Sequence, residues 1–147
     1  MDFDFSDDQA QLRDAVRKWV DKSYGFDDRR QRVAEGGFSQ ASYQAMAELG
    51  LTGLWVQEAY GGMGMGPVDA MVAMEELGRG LLLEPLAHAW IASAVLQGFA
   101  PETLRQTWLP RIASGDALVV LAHQERGARH DFRACKTQAT QVRSEEH

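Results

Sequence analysis

Cysteine occurs once, proline four times, and no purely apolar run exceeds the six residues 117–122. A single cysteine, Cys135, excludes an intrachain disulfide and any multi-cysteine zinc site. Six apolar residues are far short of the roughly 20 needed to span a bilayer. Positive charge is also scarce: 15 Lys plus Arg stand against 21 Asp plus Glu, a formal net charge of −6. A nucleic-acid binder normally carries a basic face, so that class is excluded. The acidic opening Met1-Asp2-Phe3-Asp4-Phe5 has neither the basic flank nor the apolar core of a secretory signal. The four histidines, His88, His123, His130 and His147, form no i, i+4 pair and no HExxH, so no metal site is expected. These absences leave a soluble, cytoplasmic protein as the expectation.

What is present is helical. Ser6 with Gln9 three residues on makes a capping box, and Asp7 and Asp8 suit the positive end of a helix. Leu12, Ala15, Val16, Trp19 and Val20 then recur at helical spacing. Gly25 and the charged run 27–32 read as a solvated connecting turn. Ser39 caps a second helix, Phe38 and Tyr43 have the spacing of a hydrophobic staple, and Gly50 supplies a left-handed stop. The apolar stretch 51–56 is of uncertain type. A third helix opens at Pro67 and reaches Leu77, with Gly78 and Gly80 ending it. A fourth runs from Glu84 and Pro85 to Gln97, ended by Gly98, and is so apolar that a central place in the bundle is expected. A fifth opens at Pro101 and stops at Gly115. Beyond it, Leu118-Val119-Val120-Leu121 reads as a buried strand, and alternation of Cys135, Thr137 and Ala139 within 132–142 as a weaker one. The fold expected is therefore mainly α: a five-helix orthogonal or up-down bundle over residues 1–115, followed by the start of an incomplete β domain over 116–147.

Candidate chemistry is sparse. Gly62, Gly64 and Gly66 give GxGxG, but Pro67 occupies the position of the third glycine of a GxGxxG dinucleotide turn, and it lacks an amide for phosphate. A tight connection explains the loop better. Glu75 and Glu76 are helix neighbours pointing about 100° apart, which suits solvated charges or a helix-end contact, not a carboxylate pair flanking one bond. His88 reads as a core or boundary histidine. Cys135 has no flanking group to activate it. Met63 and Met65 could line an apolar pocket.

Larger blocks carry a resemblance. Phe5-Ser6-Asp7-Asp8-Gln9, Met46-Ala47-Glu48-Leu49-Gly50-Leu51, Tyr60-Gly61-Gly62-Met63-Gly64, Glu75-Glu76-Leu77-Gly78-Arg79 and Trp108-Leu109-Pro110-Arg111-Ile112-Ala113-Ser114-Gly115 are together similar to the N-terminal helical domain of acyl-CoA dehydrogenases. Gly80-Leu81-Leu82-Leu83-Glu84-Pro85 and residues 123–129 also resemble a bacterial branch that includes the small subunit of pimeloyl-CoA dehydrogenase.

The resemblance implies α,β-dehydrogenation of an acyl-CoA thioester, with FAD as the hydride acceptor and assembly into homo- or hetero-oligomers. It places Leu121, His123 and Gln124 where the family contacts the flavin ring, and His130 where a serine contacts the CoA arm. The family pattern Thr-Glu-Pro followed by Gly-Ser-Asp is met by Gln124-Glu125-Arg126 and Arg129-His130-Asp131, so only part of it is kept. The family's usual base is a glutamate of a C-terminal domain, and no catalytic residue is assigned here. The resemblance thus implies a fragment that walls the acyl pocket, holds FAD weakly and is inactive alone. The alternative expectation is a non-catalytic helical partner or acyl-binding module.

Overall fold

The computed structural model describes residues 4–122, 124–128, 131, 133–138 and 140. Six α-helices follow in order: α1 (Asp7–Ser23), α2 (Phe26–Ala34), α3 (Gln40–Glu48), α4 (Pro67–Arg79), α5 (Leu86–Phe99) and α6 (Glu102–Ala113), with a short 3-10 turn at Glu58–Tyr60. Among the described residues there is no β-strand.

Two expectations are overturned here. The bundle has six helices, not five, because the charged run is itself a helix. Gly25 caps α2, Asp27 and Asp28 occupy its first turn and Arg32 its last, so the helix dipole favours each end. Its residues are all at least partly exposed, which is why no apolar stripe announces it. The incomplete β domain is also absent from the described residues. Ala117 is buried and Val119 half-buried while Leu118 and Val120 are exposed, so the alternation expected of a strand is there. Among the described residues no strand lies alongside to make the ladder that defines one. Of the second expected strand, residues 132, 139, 141 and 142 fall outside the described set.

The caps form as their residues dictate. Ser6 and Gln9 exchange both capping-box hydrogen bonds. Ser39 accepts from the Ser42 amide, and the rings of Phe38 and Tyr43 pack 6.0 Å apart. Gly50 ends α3 at φ 78°. Gly78 and Gly98, expected as stops, lie inside α4 and α5, which run on to Arg79 and Phe99.

The principal core joins Val16, Val20 and Tyr24 of α1 and its end, Tyr43 and Met46 of α3, Ala73 and Leu77 of α4, and Leu86 and Trp90 of α5. The stretch 51–56 is a buried turn through it. A buried turn must have its backbone groups satisfied, and side chains do much of this. Trp90 Nε1 donates to Leu51 O (2.6 Å) and Gln97 Nε2 to Trp55 O (2.9 Å), while the Gln57 amide donates to Gln97 Oε1 (2.8 Å). Thr52 Oγ1 donates to Ala113 O (2.8 Å), tying the turn to α6. A second cluster, Val56, Leu109, Ile112 and Ala113, takes in Leu96 of α5 and Val119 beyond α6.

Candidate functional site

The fourth predicted helix is not central, as its composition suggested. In α5, Ala89, Trp90, Ala92 and Ser93 are buried, but His88, Ile91, Ala94 and Gly98 are exposed along the other face. That spacing is the helical repeat, so α5 presents an almost wholly apolar stripe outward. His88 is therefore an exposed histidine, not the core or boundary residue expected. Against this stripe α4 sets Met71 and Met74. The hollow between them, about 350 Å³, is lined by Trp55, Pro67, Ala70, Met71, Met74, Ala87, Trp90 and Ile91. Trp55 and Trp90 stack with ring centroids 5.7 Å apart at its floor.

Met74 and Ala87 are shared with a neighbouring cleft of about 480 Å³, bounded by Leu77, residues 81–84, Pro85 and His88. The two make one groove along α4 and α5. At the cleft's mouth Leu81 is exposed and holds φ 54°, the left-handed region, unlike any other described non-glycine residue.

Beneath the cleft lies a buried polar cluster. Glu84, 4% exposed, accepts from Tyr24 Oη through Oε2 (2.7 Å), and the Leu83 amide donates to the same phenol (2.9 Å). The Arg32 guanidinium sits 4.5 Å over the Tyr24 ring. Burial, and then the hydrogen bond donated to Glu84, push the Tyr24 phenol above its ordinary 10. This cluster anchors the 81–85 connection against α1. It supplies no free nucleophile, because Glu84 is covered.

The glycine loop is a connection, as its spacing suggested. The amides of Gly62, Met63, Gly64 and Met65 donate to the carbonyls of Gln57, Gly53, Val56 and Leu54 at 2.8–3.2 Å. Donors already used within the loop cannot cradle a phosphate. Met65 packs on the core and Met63 lies over Gly50, and neither lines the groove.

Of the residues expected to meet a flavin, Leu121 and Gln124 are exposed. His123 and the expected CoA contact His130 lie outside the described residues. Leu121 offers apolar surface and Gln124 an amide able to donate to a ring carbonyl, which fits one edge of a flavin. Glu125 is spent on structure. Its carboxyl accepts from Thr137 Oγ1 (2.6 Å) and from the amides of Lys136 and Thr137, and these bonds, that of the Thr137 hydroxyl first, pull its pKa down to about 2.

Glu76, read from the sequence with Glu75 as a solvated charge or a helix-end contact, is buried. It is 3% exposed and accepts from Arg17 (2.5 and 3.1 Å) and Arg79 (3.0 Å), while Arg79 also donates to Asp21 (2.7 Å). Arg17 above all, and Arg79 with it, hold this carboxyl below its usual range. The signal was available: Glu76 lies four and three residues after Val72 and Ala73, on the same helical face, and both are buried. Ala87 and Ile91 were passed over, absorbed into a helix assumed to be buried all round.

Comparison with known proteins places this geometry. The family model described as "Acyl-CoA dehydrogenase, N-terminal domain" matches residues 6–116. Acryloyl-CoA reductase (NADH) of Anaerotignum propionicum is 28% identical over 95% of the chain and 36% of its own length. A probable acyl-CoA dehydrogenase of Bacillus subtilis, YngJ, is 30% identical over 95% of the chain and 37% of its own length. The solved structure of apo-form PigA superposes with a TM-score of 0.82 at 22% identity, over 97% of the chain and 39% of that structure, a likeness of fold. The chain thus spans little more than a third of these relatives. On the match over residues 6–116 and the helical fold found there, the chain belongs to the acyl-CoA dehydrogenase family.

Proposed function

We propose that the α4–α5 groove is one wall of an acyl-CoA site and that this chain takes part in flavin-dependent α,β-dehydrogenation of an acyl thioester. The observation that carries the reading is the exposed apolar groove itself. A floor of stacked tryptophans under Met71, Met74 and Ile91 matches an aliphatic chain in shape and polarity. The named relatives support it, since both are by name enzymes of acyl-CoA thioesters.

In this reading residues 1–115 are the helical domain and 116–147 the opening of a flavin domain. Leu121, His123 and Gln124 meet the ring edge, and His130 the CoA arm. FAD, when bound, supplies the hydride acceptor. The chain's own part is to exclude water from the acyl chain and to fix its position along α5. The likeness of residues 80–85 and 123–129 to the pimeloyl-CoA branch supports an acyl thioester of medium length. In this reading the chain serves as a wall of the site and is inactive on its own. The outward apolar stripe of α5 also favours the second reading, a partner module that works docked on another chain.

Binding of octanoyl-CoA should change the fluorescence of Trp55 and Trp90, and Ile91→Lys should abolish the change. An unchanged emission in the wild-type chain removes the acyl-wall reading. Turnover of octanoyl-CoA by the purified chain with FAD and a dye acceptor would overturn the claim of inactivity.

A further inference from the structure

A separate hollow of about 180 Å³ shares no lining residue with the groove. Its polar wall is Ser23 of α1, Arg32 of α2, and Ser39 and Ser42 at the start of α3, with Trp19 and Ala41 beside them. No acid lines it. Ser42 is 6% exposed, its amide donates to Ser39 Oγ (3.2 Å), and its own hydroxyl has no partner among the described residues. A buried hydroxyl left unpaired is costly, so one standing on the wall of a hollow points to a guest. Arg32 repeats the pattern. Its Nη2 donates to Ser23 O (3.0 Å) and its guanidinium rests 4.5 Å over the Tyr24 ring, which fixes the head in place. Its Nη1 is shielded from water without an acceptor, and among the described residues no carboxylate pairs with it.

The start of α3 adds to this. Ser39 takes the Ser42 amide, while the amides of Gln40 and Ala41 have no acceptor among the described residues. Amides left over in a first turn carry the positive end of the helix dipole and favour an anion. Donors thus stand on three elements around one small space. A planar carboxylate offers its oxygens on one edge, whereas a tetrahedral oxyanion offers them on every side. The volume is below the roughly 300 Å³ at which sites for larger organic ligands begin. We propose that this hollow binds a tetrahedral oxyanion, a phosphate group, held by Arg32, the Ser42 hydroxyl and the first turn of α3. The bound anion would join α2, which buries no residue of its own, to α1 and α3.

The test titrates the 147-residue chain with inorganic phosphate by calorimetry at constant ionic strength, with acetate and glycerol 3-phosphate for comparison. Phosphate should bind saturably with a Kd of about 1 mM, the order for two charge-assisted hydrogen bonds. Acetate should bind at least about tenfold more weakly. Arg32→Gln should abolish phosphate binding, and Ser42→Ala, which keeps the amide that Ser39 caps, should weaken it about tenfold. Circular dichroism checks that each variant is folded, and Ser42→Ala carries the test if Arg32→Gln is not. Glycerol 3-phosphate binding as tightly as phosphate identifies the end of a phosphate ester as the guest, and its rejection identifies the free ion. No saturable phosphate binding overturns the proposal, as does acetate binding equally well, or an affinity unchanged in Ser42→Ala or in folded Arg32→Gln. None of these outcomes bears on the acyl-wall reading, because hollow and groove have no lining residue in common.

Discussion

Glu76 is one of two buried carboxyl side chains among the described residues. It is buried under Arg17 of α1 and Arg79 of its own helix, so it bridges the pair of helices that pack most extensively. Removing it leaves two guanidinium groups short of an acceptor and a hole beside Leu77. Glu76→Ala should therefore cost about 2 kcal/mol, the order for hydrogen bonds to a charged group, and urea unfolding at neutral pH measures it. Because its carboxyl is held below the ordinary value in the folded chain, the bridge contributes stability above the unfolded-state value of 4.5 and loses it as pH falls further. The gap between wild type and Glu76→Ala should thus close on acidification below that value. An unchanged gap at low pH would show that the loss is one of packing rather than charge. Glu75, its neighbour, is exposed. The i, i+1 geometry ruled out a shared site for the two, but it could not say which one pointed inward. That required knowing that α1 lies on the face of α4 carrying Ala73.

At the level of elements, legibility in the sequence tracked burial and local chemistry. The capping box at Ser6, the cap and staple at Ser39 and the left-handed stop at Gly50 involve residues within a few positions of one another, so local sequence alone is enough to read each of them. Helix α2 was not legible, because its stability comes from its ends and it buries no face. The strand expected over 118–121 failed for the opposite reason: its pattern is genuine, but a strand is defined by a partner that local sequence does not contain. The groove was half readable. Its residues lie on two helices assigned correctly, yet the outward face of α5 emerges only once Ala89, Trp90 and Ser93 are seen to fill the inward one. The glycine loop 61–66 belongs with the readable elements and is the most sensitive to change. A Cβ at Gly62 would be driven into the Val56 carbonyl and side chain, with backbone on one side and no flexible chain to yield. Gly62→Ala should destabilise by about 1–3 kcal/mol through this overpacking. Thermal unfolding compared with Gly61→Ala, whose added Cβ meets nothing within 4 Å but whose φ is 81°, separates crowding from backbone strain. A larger loss at Gly61 would contradict the packing account.

For the whole molecule, the principal core supplies the floor of the groove through Ala70, Trp90, Trp55 and Met74, and nothing described covers its outer side. Val68 and Met71 on α4, Ile91 on α5, and Leu118, Val120 and Leu121 beyond α6 are all exposed, although the clusters beneath them are buried. Isolated exposed apolar residues are ordinary, but Met71 and Ile91 face one another across the groove with Leu81 at its mouth, and apolar residues exposed together along a groove mark a surface that binds something. Charge acts against contact between copies, since each carries a formal −6. Salt screens that repulsion, with a Debye length of about 8 Å at physiological strength and about 3 Å at 1 M, and leaves apolar attraction in place. Self-association of the purified chain should therefore rise as salt is raised, and Ile91→Lys should suppress it by placing a charge in the middle of the apolar line. Because Ile91 is 45% exposed and outside both core clusters, the unfolding temperature of that variant should stay within a few degrees of wild type. Sedimentation velocity across a salt series measures the first effect and calorimetry the second. A chain that stays monomeric at every salt concentration, with or without the lysine, would show that the groove's apolar surface is too small to hold a macromolecule, leaving a small acyl ligand as the occupant it fits.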